Sequence, residues 1–193
     1  MSRFWKRSLG LVGGISLLLG AMASAQPRPM PPGPAPQAAV TNAPLEPFPF
    51  LTWPADFKPQ NQPVLRGLGH FQFWTGSSLH DVEGRTFLVT LIGAGNDFNE
   101  YLIKKTVQGH LAKSGATKIT ASRIPRAVIE SIPLTDRQSI GAGLGDPYND
   151  PVETWLIQRP DRQIWVQYTD NSAQASLAVV ETSPANPTGD TTR

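Results

Sequence analysis

The chain has 193 residues, 17 basic and 15 acidic side chains, and no cysteine. The missing thiol excludes disulfides, cysteine nucleophiles, cysteine-ligated zinc and iron–sulfur clusters. Arg3, Lys6 and Arg7 are the only charges before residue 26; without them 14 basic groups face 15 acidic ones, a net of −1. No basic stripe with interleaved aromatics remains, so nucleic acid is not an expected partner.

Residues 1–25 carry the three parts of a secretory signal: the basic start, an apolar run from Leu9 to Met22, and the small-residue site Ala23-Ser24-Ala25. The run falls short of the ~20 apolar residues of a spanning helix. Gly10, Gly13, Gly14 and Gly20 weaken it further, at ~1 kcal/mol each against alanine. The expectation is cleavage after Ala25 and a periplasmic chain with no stable membrane span. An inner-membrane signal anchor is the alternative. No cysteine follows the run to carry a lipoprotein anchor.

Residues 26–63 form a stalk holding 12 of the 19 prolines. Its first part, to Val40, has almost nothing to bury and reads as extended and solvated. Its second part carries Phe48, Phe50, Trp53 and Phe57. Such a segment either packs on the following domain or serves as a free docking peptide. The reading adopted is an ordered strap over residues 47–59, lying on the sheet face that bears Leu156 and Trp165, with residues 26–40 free.

One domain is expected over residues 64–181, with a disordered tail over 182–193. His70–Trp74 alternates as a half-buried strand, and Gly76-Ser77-Ser78 reads as a turn. A long strand follows over Leu79–Ile92; its second half is apolar on both faces, as in a strand covered on both sides. Asp97 with Glu100 resembles a capping box opening a helix over Phe98–Lys113, with Ile103, Val107 and Leu111 as the buried stripe and Gly115 beyond its end. A strand over Ala116–Ala121 and a short helix from Pro125 to Ile132 come next. Residues 133–151 show no periodicity and read as a long loop. Val152–Gln158 and Gln163–Thr169 flank a four-residue loop, in a register opposing Trp155 to Val166, Leu156 to Trp165 and Ile157 to Ile164. Ser176–Glu181 is the last strand. The sum is an α+β fold, a mostly antiparallel sheet of five or six strands with one or two helices largely on one face.

The chemical motifs are thin. Gly93-Ala-Gly95 before a helix imitates a dinucleotide fingerprint, but Phe98 stands at the third glycine and Asp97 puts a negative charge where a phosphate would bind. Gly141-Ala-Gly-Leu-Gly145 has no strand leading into it. His80, Asp81 and Glu83 would need His70 and His110 to converge on them to close a metal site, and His80 points to the other strand face. Ser77 and Ser78 lack the nucleophile elbow. No catalytic residue, cofactor or metal is therefore expected. Trp74 and Trp165 on faces that read as polar, with Leu156 opposite Trp165 and Trp53 of the stalk, give the candidate interaction surface.

Asp81-Val-Glu-Gly-Arg85, Phe98-Asn-Glu-Tyr-Leu102, His110-Leu-Ala-Lys-Ser-Gly-Ala116, Ile164-Trp-Val-Gln-Tyr168 and Leu177-Ala-Val-Val-Glu181 together carry a resemblance. They are similar to a poorly characterised α/β domain that precedes the peptidoglycan-binding OmpA-like domain in some Gram-negative envelope proteins. The resemblance implies a periplasmic, envelope-associated role and no catalytic residues. The chain departs from that pattern in reaching Arg193 without an OmpA-like domain. The expected function is a non-enzymatic exported interaction module whose partner is an envelope protein or a cell-wall component. The alternatives are a periplasmic hydrolase using the 133–151 loop with His80, Asp81 or Glu83, and a carrier of a small apolar ligand.

Overall fold

The computed structural model describes residues 36–95 and 97–182. The segments read from sequence as a signal, as the first part of the stalk up to residue 35 and as a tail from residue 183 lie outside the described residues. Seven strands and four helices follow one another as β1 (Phe57–Pro59), β2 (Val64–Trp74), β3 (Leu79–Gly93), α1 (Glu100–Lys113), β4 (Thr117–Ser122), α2 (Arg126–Ser131), α3 (Leu134–Ser139), α4 (Gly141–Leu144), β5 (Val152–Gln158), β6 (Gln163–Asp170) and β7 (Ala175–Glu181). The fold is α+β. All strand pairs are antiparallel, in the order β1-β3-β7-β6-β5-β4, with β2 also on β3. The strand beyond the expected number is β1, which the proline-rich stalk supplies; it pairs with β3 from Phe57 opposite Gly93 to Pro59 opposite Leu91.

Strand alternation sorts side chains into two layers. Phe87, Val89 and Leu91 of β3 join Ile164, Val166 and Tyr168 of β6 and Leu177 and Val179 of β7 beneath the α1 stripe of Ile103, Val107 and Leu111. Leu88, Leu156, Trp165, Ala178 and Val180 face the other way, under Phe71 and Phe73 of β2 and Ile140 and Leu144 around α4. Helical cover is thus divided between the two faces. β7 and β6 lie between both layers, and their side chains are buried almost end to end, as expected for strands covered on both sides.

The β5–β6 register matches the sequence reading: Trp155 opposes Val166, Leu156 opposes Trp165 and Ile157 opposes Ile164. The start of α1 differs. Asn99, not Asp97, is the cap, and its Oδ1 accepts the Leu102 N–H at 3.0 Å. Gly115 follows with φ of 72°, the left-handed conformation that glycine takes without a Cβ clash. The 133–151 stretch is not structureless either. It folds into α3 and α4, six and four residues long, which is too short for a helical period to be visible in the sequence. Gly143 explains the glycine run there. A Cβ on it would lie 2.8 Å from Leu88 Cδ2 and 3.0 Å from Ala178 Cβ, so the bare backbone lets α4 press onto β3 and β7.

The second part of the stalk contributes to this core. Phe50, Leu51 and Phe57 are buried against the α1 layer, with Phe48 and Trp53 packed alongside. Each fully buried side chain of this size contributes roughly 1.5–3 kcal/mol. The strap expected over residues 47–59 is therefore ordered, but it lies on the face opposite Trp165. Nor is the chain free up to residue 40: Ala38 packs against the second layer and Val40 forms a parallel bridge with Gln158.

Candidate functional site

Three of the four residues expected on an interaction surface are interior. Trp74, Leu156 and Trp165 are buried, Trp165 to 1 % exposure. The reason lies in β2. Among the described residues it pairs only with β3, yet its end lies over the β5–β6 face: the Phe73 ring sits 5.5 Å from that of Trp165, and the Trp74 N–H donates to Gln167 Oε1 at 3.1 Å. Trp74 also packs with Ile129 of α2, and its indole N–H donates to Ser122 Oγ at 2.9 Å. Trp53 is half-buried and stacks on Phe87 at 6.5 Å. These residues build the core and its cover.

The acid–base candidates are not gathered into one site. The His80 ring lies tilted against that of Trp165 at 4.8 Å, Asp81 pairs with His70 at 3.0 Å, and Glu83 is exposed. The 133–151 segment meets β3 near Val89 and Thr90 instead, toward the other end of that strand. Among the described residues no group of three or more His, Cys, Asp or Glu could hold a metal ion. None of the described helices is long and apolar enough to cross a membrane.

Two polar knots were not foreseen. Between α1 and the sheet, Lys104 Nζ donates to both oxygens of buried Asp170, at 3.1 and 3.3 Å, and the Tyr168 hydroxyl donates to Asp170 Oδ2 at 2.8 Å. Burial, then the adjacent Asp170 carboxylate, pushes the Tyr168 phenol far above its usual range. On the strap side, His110 Nδ1 lies 3.2 Å from Glu46 Oε1 and its Nε2 lies 3.1 Å from Thr52 Oγ1. Hydroxyl, imidazole and carboxylate follow the order of a nucleophile relay. However, the neighbouring hollow of about 290 Å³ is lined by Pro44, Leu45, Glu46, His110, Lys113 and Ser114, without Thr52. The imidazole instead ties two points of the strap to α1.

Two surface features remain. Leu65 and Leu68 are 62 % and 67 % exposed on β2, on either side of Arg66 and Gly67, where pairing to β3 slips between Arg66 and Gly69. Among the described residues β2 pairs with β3 alone, so no described strand occupies its other edge along this stretch. Close by in the chain, Gln60, Asn61 and Gln62 join Val89, Thr90, Gly141, Ala142, Gly145 and Gln174 around a cleft of about 270 Å³. The sequence did hold signals for both: the alternation Gly67-Leu68-Gly69, which marks a bulge, and a run of three amides after Pro59. No family model, curated protein or solved structure matches this chain.

Proposed function

We propose that the chain is an exported, non-enzymatic interaction module of the cell envelope, and that it docks a partner protein along the open edge of β2. The observation that carries this reading is the pair of exposed leucines, Leu65 and Leu68, on a strand with an unpaired edge. Natural sheets blunt such edges with charges, prolines or bulges. This one has the bulge but keeps two large apolar side chains in water. An edge of that kind accepts an extended segment through main-chain hydrogen bonds, with side-chain contacts giving selectivity. The signal over residues 1–25 and the resemblance to an envelope domain support a periplasmic setting.

The test is site-specific photo-crosslinking in exported protein. A photoreactive residue at position 65 or 68 is expected to give one and the same adduct. At exposed Tyr101 on α1 it should give none. Equal labelling from all three positions, or from position 101 alone, would refute the β2 edge as the docking site. The export reading is checked on the same material: intact mass should correspond to a chain beginning at Gln26, and a mass retaining residues 1–25 would argue for a signal anchor.

A further inference from the structure

The cleft beside Gln60 has a lining of one chemical kind. Four carboxamides (Gln60, Asn61, Gln62 and Gln174) and the Thr90 hydroxyl supply its side-chain polar groups, and no ionisable residue lines it. Several glutamines of the sheet and of α1 hydrogen-bond inside the protein: Gln108 donates to Glu153, Gln158 to the Arg159 carbonyl, Gln163 to Gln158, and Gln167 accepts from the Trp74 N–H; buried Gln72 Oε1 and Gln167 Nε2 have no partner among the described residues. Among the described residues, none of the four cleft amides has a side-chain hydrogen bond within the protein. Each therefore offers two donors and an acceptor to whatever enters.

Part of the lining carries little or no side chain. Gly141 and Gly145 bracket Ala142 there, and a Cβ built on Gly141 meets nothing within 4 Å. Thr90 is already held by the Ala142 carbonyl at 2.8 Å, so that wall is fixed in place. A charged ligand would shed hydration without gaining an ionic partner, which is unfavourable. A ligand whose groups both donate and accept, such as the hydroxyls of a sugar, matches carboxamides directly. At about 270 Å³ the cleft lies below the usual span of drug-sized pockets, roughly 300–1,000 Å³, and suits a single ring.

We infer that this cleft is a binding site for one neutral polyhydroxylated unit, a sugar ring or the end of a glycan. The inference is independent of the β2 edge.

The test is NMR titration of the side-chain amide resonances of Gln60, Asn61, Gln62 and Gln174 in the mature protein. The probes are glucose and N-acetylglucosamine, with glucuronate and glucosamine as charged counterparts. The expected result is saturable shifts at these amides with at least one neutral sugar, at about millimolar dissociation constant, and binding about tenfold weaker for the charged pair. Gly141→Phe fills the cleft from a position with open space and should abolish the shifts while melting stays unchanged. The double variant Gln62→Ala with Gln174→Ala, which leaves the wall intact, should weaken them about tenfold or more. Three outcomes would each overturn the inference: no saturable shift with either neutral sugar, equal binding of the charged sugars, or undiminished binding in both variants. Photo-crosslinking at Leu65 is expected to be unaffected by either variant, so failure here and failure of the β2 reading are told apart.

Discussion

The strap and the first half of β2 lie close together in the chain and share one edge of β3, yet they treat their apolar side chains in opposite ways. Between Leu45 and Phe57 the aromatics turn inward, and Phe50, Leu51 and Phe57 enter the α1 layer. A few residues later Leu65 and Leu68 stand in water. Composition alone would have made the aromatic stalk the sticky element. The comparison shows that a proline-rich segment becomes part of a core once it has a strand to pair with and a helix to lie under. The apolar surface left exposed then belongs to a strand with one side unpaired among the described residues.

The strongest way to break the comparison is to empty the strap. Phe57 is buried on β1 and its ring meets Phe98 edge-on at 5.5 Å. Phe57→Ala should cost about 3–5 kcal/mol in denaturant unfolding. A loss within about 0.5 kcal/mol, the range of an ordinary surface change, would place the strap outside the fold. A smaller effect is expected at the imidazole that ties strap to helix. His110→Ala removes hydrogen bonds to Glu46 and Thr52 and should cost about 1–2 kcal/mol. The accompanying rise in hydrogen exchange should be confined to residues 44–53, leaving β2 unchanged.

Tyr168 sharpens the same contrast from the buried side. The folded protein keeps its proton at a pH where an unfolded tyrosine loses it, near 10. Its contribution is therefore full below about pH 10 and declines as pH rises above that value, because the unfolded chain then binds fewer protons than the native one. Tyr168→Phe should cost about 1 kcal/mol at neutral pH through the lost Asp170 hydrogen bond. It should also flatten the alkaline decline in a melting series. The smallest effect belongs to the exposed pair. Leu65→Asp with Leu68→Asp should change stability by no more than about 0.5 kcal/mol and still abolish partner crosslinking from neighbouring β2 positions.

What could be read from sequence was what local pattern dictates. The β5–β6 register, the α1 stripe, Gly115 after it and the short helix at Pro125 each follow from spacing within a few residues. The rest depended on distant partners. Trp165 reads as polar-faced because Gln163 and Gln167 flank it, and nothing local says that Phe73 will cross above it. Asn99 outcompetes Asp97 as the cap because the helix begins at Glu100, a boundary choice that sequence signals leave open. Of the candidate site, the amides of Gln60–Gln62 and the glycines around Leu68 were visible as composition. The sheet that makes one group a cleft and the other an edge was not.

Residue-resolved hydrogen exchange on the purified protein tests the central claim most directly. Phe50, whose N–H bonds to the Pro47 carbonyl at 2.8 Å, and Phe57, whose N–H bonds to the Pro54 carbonyl at 3.0 Å, should be protected together with the sheet. Gly67 and Leu68, which strand pairing skips, should exchange within seconds. Fast exchange across the strap, or protection at Gly67 and Leu68 in the isolated protein, would contradict the division between a strap built into the core and an edge left open.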